Sequence, residues 1–470
     1  MKREHFDFYG YNAPTWGGYY HNGDTYFLGE DFRSVKRYKE YKDIGFNMCL
    51  LQHDNGYNGE KWETCSTKKC MDVCQKVGLD RVIVEDKRLK ELCKEPLLVG
   101  EGGKFKTEDE LMAYLDECTK PYRDHPCFYA IQLEDEPIFK YLKEYAHVYR
   151  ALKKLLPKAE LQCNLLNMVL HSQIAPDPNN LQTMDKDLAD YLRYFVKESG
   201  IDYIMTDEYA FRGKNKVSPW TVPTFQVFAN VAKELGIEAR MVLQSFSQEA
   251  CVTNKEKPGF LEGSVAWRRI TEKDMYWQMN LALGLGFKEF SFFTYLTKAV
   301  KNFRGKWVGG AAIDGGALLN YDGTRTRLWY ATQKVIREVK AFEPVIIKYN
   351  YDNAYFFFPE GKDQKLFDSS AEALLSDVKN IPISVKTPKY PVMVSEMRNG
   401  KSRMYMVQNI GNPIEELMYN KKATVLDIDL GELAGKAKFY YKGKQVERQL
   451  DGTVLKEKLG IGQAIFIEVE

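Results

Sequence analysis

The sequence predicts an α/β chain: a (β/α)8 barrel over residues 1–345, followed by a small antiparallel β-sandwich over residues 346–470. Three observations carry this. Short, nearly continuous apolar runs alternate with amphipathic stretches over most of the chain, as in a parallel sheet covered by helices. No GxGxxG follows the first run, which disfavours an open doubly wound sheet. Beyond residue 342 the pattern changes to β-runs separated by turns, without helical stretches between them.

The barrel runs are DFYGYNA (7–13), FNMCLLQ (46–52), DRVIVED (80–86), CFYAIQLED (127–135), ELQCNLL (160–166), DYIMTDE (202–208), ARMVLQSF (239–246) and KEFSFFTYL (288–296). Between them lie amphipathic segments such as KKCMDVCQKVG and DLADYLRYFVKESG, several ending in Gly, a common residue just past a helix. Thr107 with Glu110, and Thr271 with Asp274, have the spacing of capping boxes. The segment 325–342 reads as the last barrel helix. AYFFFPEG, ATVLDIDL, KAKFYYKGKQVE and GQAIFIEVE then read as strands, and Arg398-Asn399-Gly400-Lys401 as a hairpin turn.

Composition narrows the function. Lys plus Arg (67) nearly balances Asp plus Glu (65), a formal charge of +2 that gives no reason to expect nucleic acid as partner. No apolar run is long enough for a membrane span, and no apolar segment follows the basic start, so the expectation is a cytoplasmic protein without a membrane partner. The nine Cys are odd in number, and Cys49, Cys127 and Cys163 fall inside apolar runs, which reads as reduced, buried thiols. Cys65, Cys70 and Cys74 cluster without a CxxC or a completing His. No metal and no cofactor are therefore expected. An aromatic share of 13% is compatible with stacking on sugar rings.

In a (β/α)8 barrel the chemistry sits at the C-terminal ends of the strands. Those ends carry Asn12 and Trp16, then Gln52, His53 and Asp54, then Glu85 and Asp86, then Glu134, Asp135 and Glu136. Asn164 and Asn167, Asp207 and Glu208, Gln244 and Gln248, and Thr294 and Tyr295 follow. Carboxylates recur there without Lys or paired His, which suits acid/base work on an acetal. Breaking a glycosidic bond takes one carboxylic acid to protonate the leaving oxygen and a second carboxylate. The strand running into IQLEDEP (131–137) makes Glu136 the candidate acid, its pKa raised by burial or by Asp135. The competing use of these acids is to cap a helix opened by Pro137.

The DEP of that segment, IDYIMTDEYAF (201–211), VLQSF, NLALGLGFKEFSFFTYLT (280–297) and the closing LGIGQAIFIEVE form a set. Together they resemble family 42-type β-galactosidases and related glycoside hydrolases of clan A, TIM-barrel proteins that often carry a C-terminal sandwich. The resemblance implies that Glu136 is the acid/base. Two positions depart from it: Asp135 replaces the usual Asn, and Gln244 stands where the nucleophilic Glu is expected. Glu249 lies five residues on as a weak substitute. The second carboxylate then falls to Glu208, with Asp207 as the alternative, since successive strand residues face opposite ways. Trp16, Tyr209, Trp267 and Tyr295 are candidate sugar platforms, and His53, Asn12, Asp135 and Gln244 candidate contacts to hydroxyls.

The reading is a glycoside hydrolase acting on an oligo- or polysaccharide. Long segments at 19–26 and 244–267 would narrow its cleft for exo-action. A carbohydrate-binding barrel without catalysis is the alternative, motivated by Gln244. A metal-dependent hydrolase or lyase ranks below both, because the six His are scattered.

Overall fold

A computed structural model describes residues 3–15, 18–21, 24–27, 30–175, 177, 179–213, 216–247, 267–296, 299–301, 307–309, 317–320, 322–360, 381–386, 388–414 and 423–469. Every predicted apolar run contains a strand: β1 (Asp7–Gly10), β2 (Cys49–Leu51), β3 (Val82–Glu85), β4 (Phe128–Asp135), β5 (Glu160–Asn164), β6 (Tyr203–Glu208), β7 (Glu238–Gln244) and β8 (Glu289–Phe293). They form two parallel four-stranded sheets, ordered β1-β8-β7-β6 and β2-β3-β4-β5. The sheets meet along both edges. Leu165, just past β5, pairs in parallel with Thr206 and donates its N–H to Met205 at 2.7 Å. At the other edge the amides of Asn47 and Met48 reach the Phe8 carbonyl at 3.0 and 3.3 Å.

The strands are apolar on both faces because helices cover them outside while side chains fill the space inside. Helices Ser66–Val77, Met184–Ser199 and Thr221–Leu235 each end on a left-handed glycine, Gly78, Gly200 and Gly236, as their sequences predict. Thr271 and Asp274 form a complete capping box. Thr107 accepts from the Glu110 amide, while the Glu110 carboxylate turns to the Lys106 amide instead.

The N-terminal ends of the strands enclose a buried ion network. Arg240 binds Glu160 (2.6 Å), Glu238 (2.9 Å) and Glu289 (3.3 Å), and Arg3 binds Glu238, Glu289 and Asp7. Burial pushes the Glu160 carboxyl up, but the Arg240 guanidinium overrides it and holds Glu160 down to about 2.

Past helix Arg327–Ile346 the chain forms two antiparallel sheets from β9 (Asn350–Phe357), β10 (Ser384–Lys386), β11 (Val392–Asn399), β12 (Ser402–Asn409), β13 (Thr424–Asp429), β14 (Ala437–Tyr441), β15 (Lys444–Val446), β16 (Leu450–Asp451), β17 (Val454–Leu459) and β18 (Ala464–Val469). Their orders are β9-β11-β12-β18-β14-β15 and β10-β13-β17-β16. One apolar cluster draws on both, with Val392, Tyr405 and Ile465 from the first and Ile428, Leu455 and Leu459 from the second. The parallel and antiparallel parts pack directly. Trp277 donates to the Gly411 carbonyl (3.1 Å) and Gln408 to the Trp277 carbonyl (2.8 Å), while Gly284 admits Met406 so closely that a Cβ there would collide with it.

Candidate active site

Four non-glycine residues among those described have positive φ, and three of them follow the C-terminal ends of β1, β2 and β4: Asn12 (56°), His53 (54°) and Glu136 (55°). Left-handed backbone is unfavourable for side chains of this kind and gathers where function demands it. It marks this end of the strands.

The local geometry of β4 explains how its acids separate. A register shift between Gln132 and Glu134 adds one residue, which re-aims the side chains that follow. Glu134 turns to Lys90 (3.8 Å) and Lys94 (3.7 Å), and its Oε1 accepts the Asp135 amide. Asp135 is exposed, and Asn164 donates to its Oδ1 at 3.0 Å. The positive φ of Glu136 then swings its carboxyl away from Asp135. None of these acids caps the following helix, which begins at Leu142 behind a cap that makes no side-chain bond.

Glu136 meets Asp207. The two carboxyls are hydrogen-bond partners, and burial together with the charges of Asp207 and Asp135 raises Glu136 to about 8. Burial and the neighbouring charges thus favour the protonated form of Glu136 beside Asp207. Asn164 organises the other side, its amide donating to Asp207 at 2.9 Å as well as to Asp135. The Tyr209 hydroxyl also bonds the Asp207 carboxylate, and Asn167 donates to the Asp207 carbonyl at 2.7 Å.

Glu208 is not brought to this pair. Its carboxylate lies fully buried behind β6, accepting from Thr221 at 2.9 Å and facing Arg212 at 3.8 Å. Arg212 in turn covers the Trp267 ring at 5.1 Å. Gln244 is also withdrawn, since its amide exchanges bonds with the Phe211 backbone (2.9 and 3.4 Å) and reaches the Phe246 carbonyl at 3.2 Å. Tyr295 is wholly buried, edge-on to Tyr41 at 4.7 Å, and offers no platform to a ligand.

Tyr209 and Trp267 stand together in an aromatic group beside the acid pair. Tyr209 stacks on Phe293 (5.6 Å) and meets Phe246 (5.0 Å) and Trp267 (6.0 Å) edge-on. Asn12 is anchored to Thr294 at 2.6 Å and receives Gln52 at 3.4 Å. The His53 side chain is exposed, while its amide donates to Glu85 at 2.9 Å. Lys90 lies 3.2 Å from Glu85, and it and the His53 amide hold that carboxyl below its usual range despite burial. Trp16, Gln248 and Glu249 lie outside the described residues. Sequence reasoning gave no role to Tyr11, Phe246 or Phe293. The signal for Tyr11 was its place one residue before Asn12 at the end of the first run.

Among the described residues no group of three or more His, Cys, Asp or Glu side chains is arranged to hold a metal ion. The described cysteines are free and buried, and Cys251 lies outside that set. No described helix is long and apolar enough to cross a membrane.

The architecture has counterparts among solved structures. An Anoxybacillus α-amylase, reported as a new glycosyl hydrolase subclass, aligns over 100% of this chain and 98% of its own, with 10% identity and a TM-score of 0.52. A family 5 glycoside hydrolase from Bacteroides vulgatus aligns over 99% of this chain and 89% of its own, with 11% identity and a TM-score of 0.52. A β-glucuronidase from an uncultured Clostridium aligns over 71% of this chain at 12% identity and a TM-score of 0.42, and this chain spans only 50% of its length. At such identities the first two likenesses concern the fold alone. No family model matches the sequence, and no curated protein does.

Proposed function

We propose that the chain is a glycoside hydrolase built as a (β/α)8 barrel (residues 1–345) and a C-terminal β-sandwich (346–470), with Glu136 as general acid. The observation that carries this is the contact of Glu136 with Asp207 beside an aromatic wall at the strand ends, where burial and the charges of Asp207 and Asp135 push its carboxyl up to about 8. An acid that stays protonated near neutrality is what a glycosidic leaving group needs. The fold likeness to two glycoside hydrolases over nearly the whole chain supports the class. Asp207, rather than Glu208, is the carboxylate that partners the acid in this reading, setting its protonation, and Tyr209 and Trp267 are its sugar-facing rings.

Incubation with a panel of aryl glycosides tests the reading. Release of phenol by the wild type, with a loss of roughly two to four orders of magnitude in Glu136→Gln, is expected. Equal release by both proteins would remove Glu136 from the mechanism. The withdrawal of Glu208 and Gln244 favours one second reading, a carbohydrate-binding barrel without turnover, for which calorimetry would find sugar affinity but no product.

A further inference from the structure

The acid pair leaves one role unfilled. A carboxylate nucleophile stands about 5–5.5 Å from the acid, and one that activates water stands ~6.5–9.5 Å away, in both cases across the sugar ring. Asp207 touches Glu136 through a hydrogen bond, nearer than either arrangement. Glu208 is buried behind β6, and Gln244 is an amide tied to the Phe211 backbone. Among the described residues, the ends of β6 and β7 therefore put no carboxylate opposite Glu136.

Two groups at the strand ends have unfilled hydrogen-bonding capacity, one exposed and one buried. Asp135 receives Asn164 on one oxygen and is an exposed residue, so its carboxylate can accept a further donor. The Tyr11 hydroxyl is buried without a hydrogen-bond partner and lies within electrostatic reach of both Asp135 and Asp207. It is a donor awaiting an acceptor. A secondary amide presents both complements at once, an N–H and a carbonyl.

Resting on the glycosidase reading, we propose that the substrate is a 1,2-trans 2-acetamido-2-deoxyhexoside whose own acetamido carbonyl is the nucleophile, Asp135 taking the amide N–H and Glu136 protonating the leaving oxygen. The carbonyl oxygen bonds to C1 while the C1–O bond to the aglycone breaks. The bond pair leaves with that oxygen, which receives the Glu136 proton. The cyclic oxazolinium carries one positive charge, balanced by the Asp135 carboxylate. Water then attacks C1 and returns a proton to Glu136, and the ring opens to restore the acetamide. One water is consumed and the anomeric configuration is retained.

The test compares aryl 2-acetamido glycosides with matched 2-hydroxy and 2-ammonium glycosides, using the wild-type chain. The expected result is kcat/KM higher on the acetamido substrate by about 100-fold or more, as follows when the nucleophile is supplied by only one of them. A trifluoroacetamido substrate, whose carbonyl is less nucleophilic, should lower kcat about tenfold or more with little change in KM. A role in recognition alone would leave kcat unmoved. A thiazoline mimic of the oxazolinium should bind tighter than the free sugar by about 100-fold or more in calorimetry. Asp135→Asn should lower kcat on the acetamido substrate while leaving the melting temperature of the chain near that of the wild type. Equal or faster turnover of the 2-hydroxy or 2-ammonium glycoside overturns this inference and leaves the glycosidase reading standing. Absence of turnover on every member of a broad panel overturns both.

Discussion

Replacing Glu136 by Gln removes a titrating proton while keeping the shape and the hydrogen bond, because the amide N–H donates to Asp207 as the carboxylic O–H does. The wild-type carboxyl is raised from 4.5 to about 8 by burial and by the charges of Asp207 and Asp135. A change of that size corresponds to at most about 5 kcal/mol, at ~1.4 kcal/mol for each tenfold change in proton affinity. Glu136 keeps part of its surface in water, so screening reduces the figure, and about 2 kcal/mol is expected. The sign follows from where the proton sits. Folded chains bind it more tightly than unfolded ones, so its stabilising contribution is complete below pH 4.5 and is lost as pH rises through about 8. Urea unfolding at pH 5, 7 and 9 reads this directly. Near pH 5 the two proteins should unfold at similar urea concentrations, and at pH 9 Glu136→Gln should be the more stable. A variant that follows the wild type at every pH, or is weaker at pH 9, would refute the raised Glu136 carboxyl.

Asp207→Asn removes the charge that holds the Glu136 proton, so the alkaline limb of the pH–rate profile should move to lower pH and turnover should fall by about 100-fold or more. Glu208→Gln, altering a carboxylate that faces away from the mouth, should keep kcat within about threefold on the same substrate. An equal loss in both would reverse the assignment of the partner carboxylate. Gln244→Glu restores the residue type that the resemblance leads one to expect, yet it aims a carboxylate at the Phe211 and Phe246 carbonyls. It should lower stability by about 1–3 kcal/mol in urea titrations without raising activity. Arg240→Met removes the guanidinium that clamps Glu160 and leaves Glu289 to Arg3 alone, and should cost about 3–5 kcal/mol, measured as an earlier unfolding midpoint in urea at pH 7.

The eight parallel strands were legible because burial on both faces leaves continuous apolar runs, and their ends fall within a few residues of the predicted ones. The same property hid the partner carboxylate. Alternation shows that Asp207 and Glu208 face opposite ways, but a run apolar on both faces does not say which face is inside. That phase is visible only in three dimensions. Thr206 bonds to the Leu165 carbonyl, and Met205, on the other face, accepts from the Tyr9 hydroxyl, which puts Asp207 with Met205 and Glu208 with Thr206. In the C-terminal part, VLKEKL was not read as a strand, because its outward Lys456 and Lys458 masked a buried face of Leu455, Glu457 and Leu459. Glu457 is tolerated there because Arg448 clasps it at 2.6 Å. Pro137 did not open a helix. The stretch to Leu142 is spent turning the chain past Glu136 into a short 3-10 turn, Phe139–Tyr141.

The two ends of the strands treat carboxylates in opposite ways, and that contrast is the strongest physical argument for where the chemistry lies. At the N-terminal ends, Glu160 is clamped by Arg240 and ionised far below neutrality, and even Glu289, raised to about 7 by burial, has both Arg240 and Arg3 against it. These charges are matched, as structural ion networks require. At the C-terminal ends, Asp135, Glu136 and Asp207 are all raised, and among the described residues Asn164 donates to both Asp135 and Asp207 and the Tyr209 hydroxyl to Asp207. Among the described residues no guanidinium pairs with Asp135, Glu136 or Asp207, although Arg88 and Arg212 pair with Asp86 and Glu208 nearby, so these three carboxyls are left electrostatically incomplete, where stability alone would favour a matching charge. The unmatched charge is relieved when a ligand brings in hydrogen-bond donors or takes the Glu136 proton. Binding and proton transfer are thereby coupled at one place, which is what a general acid in a sugar-binding mouth requires.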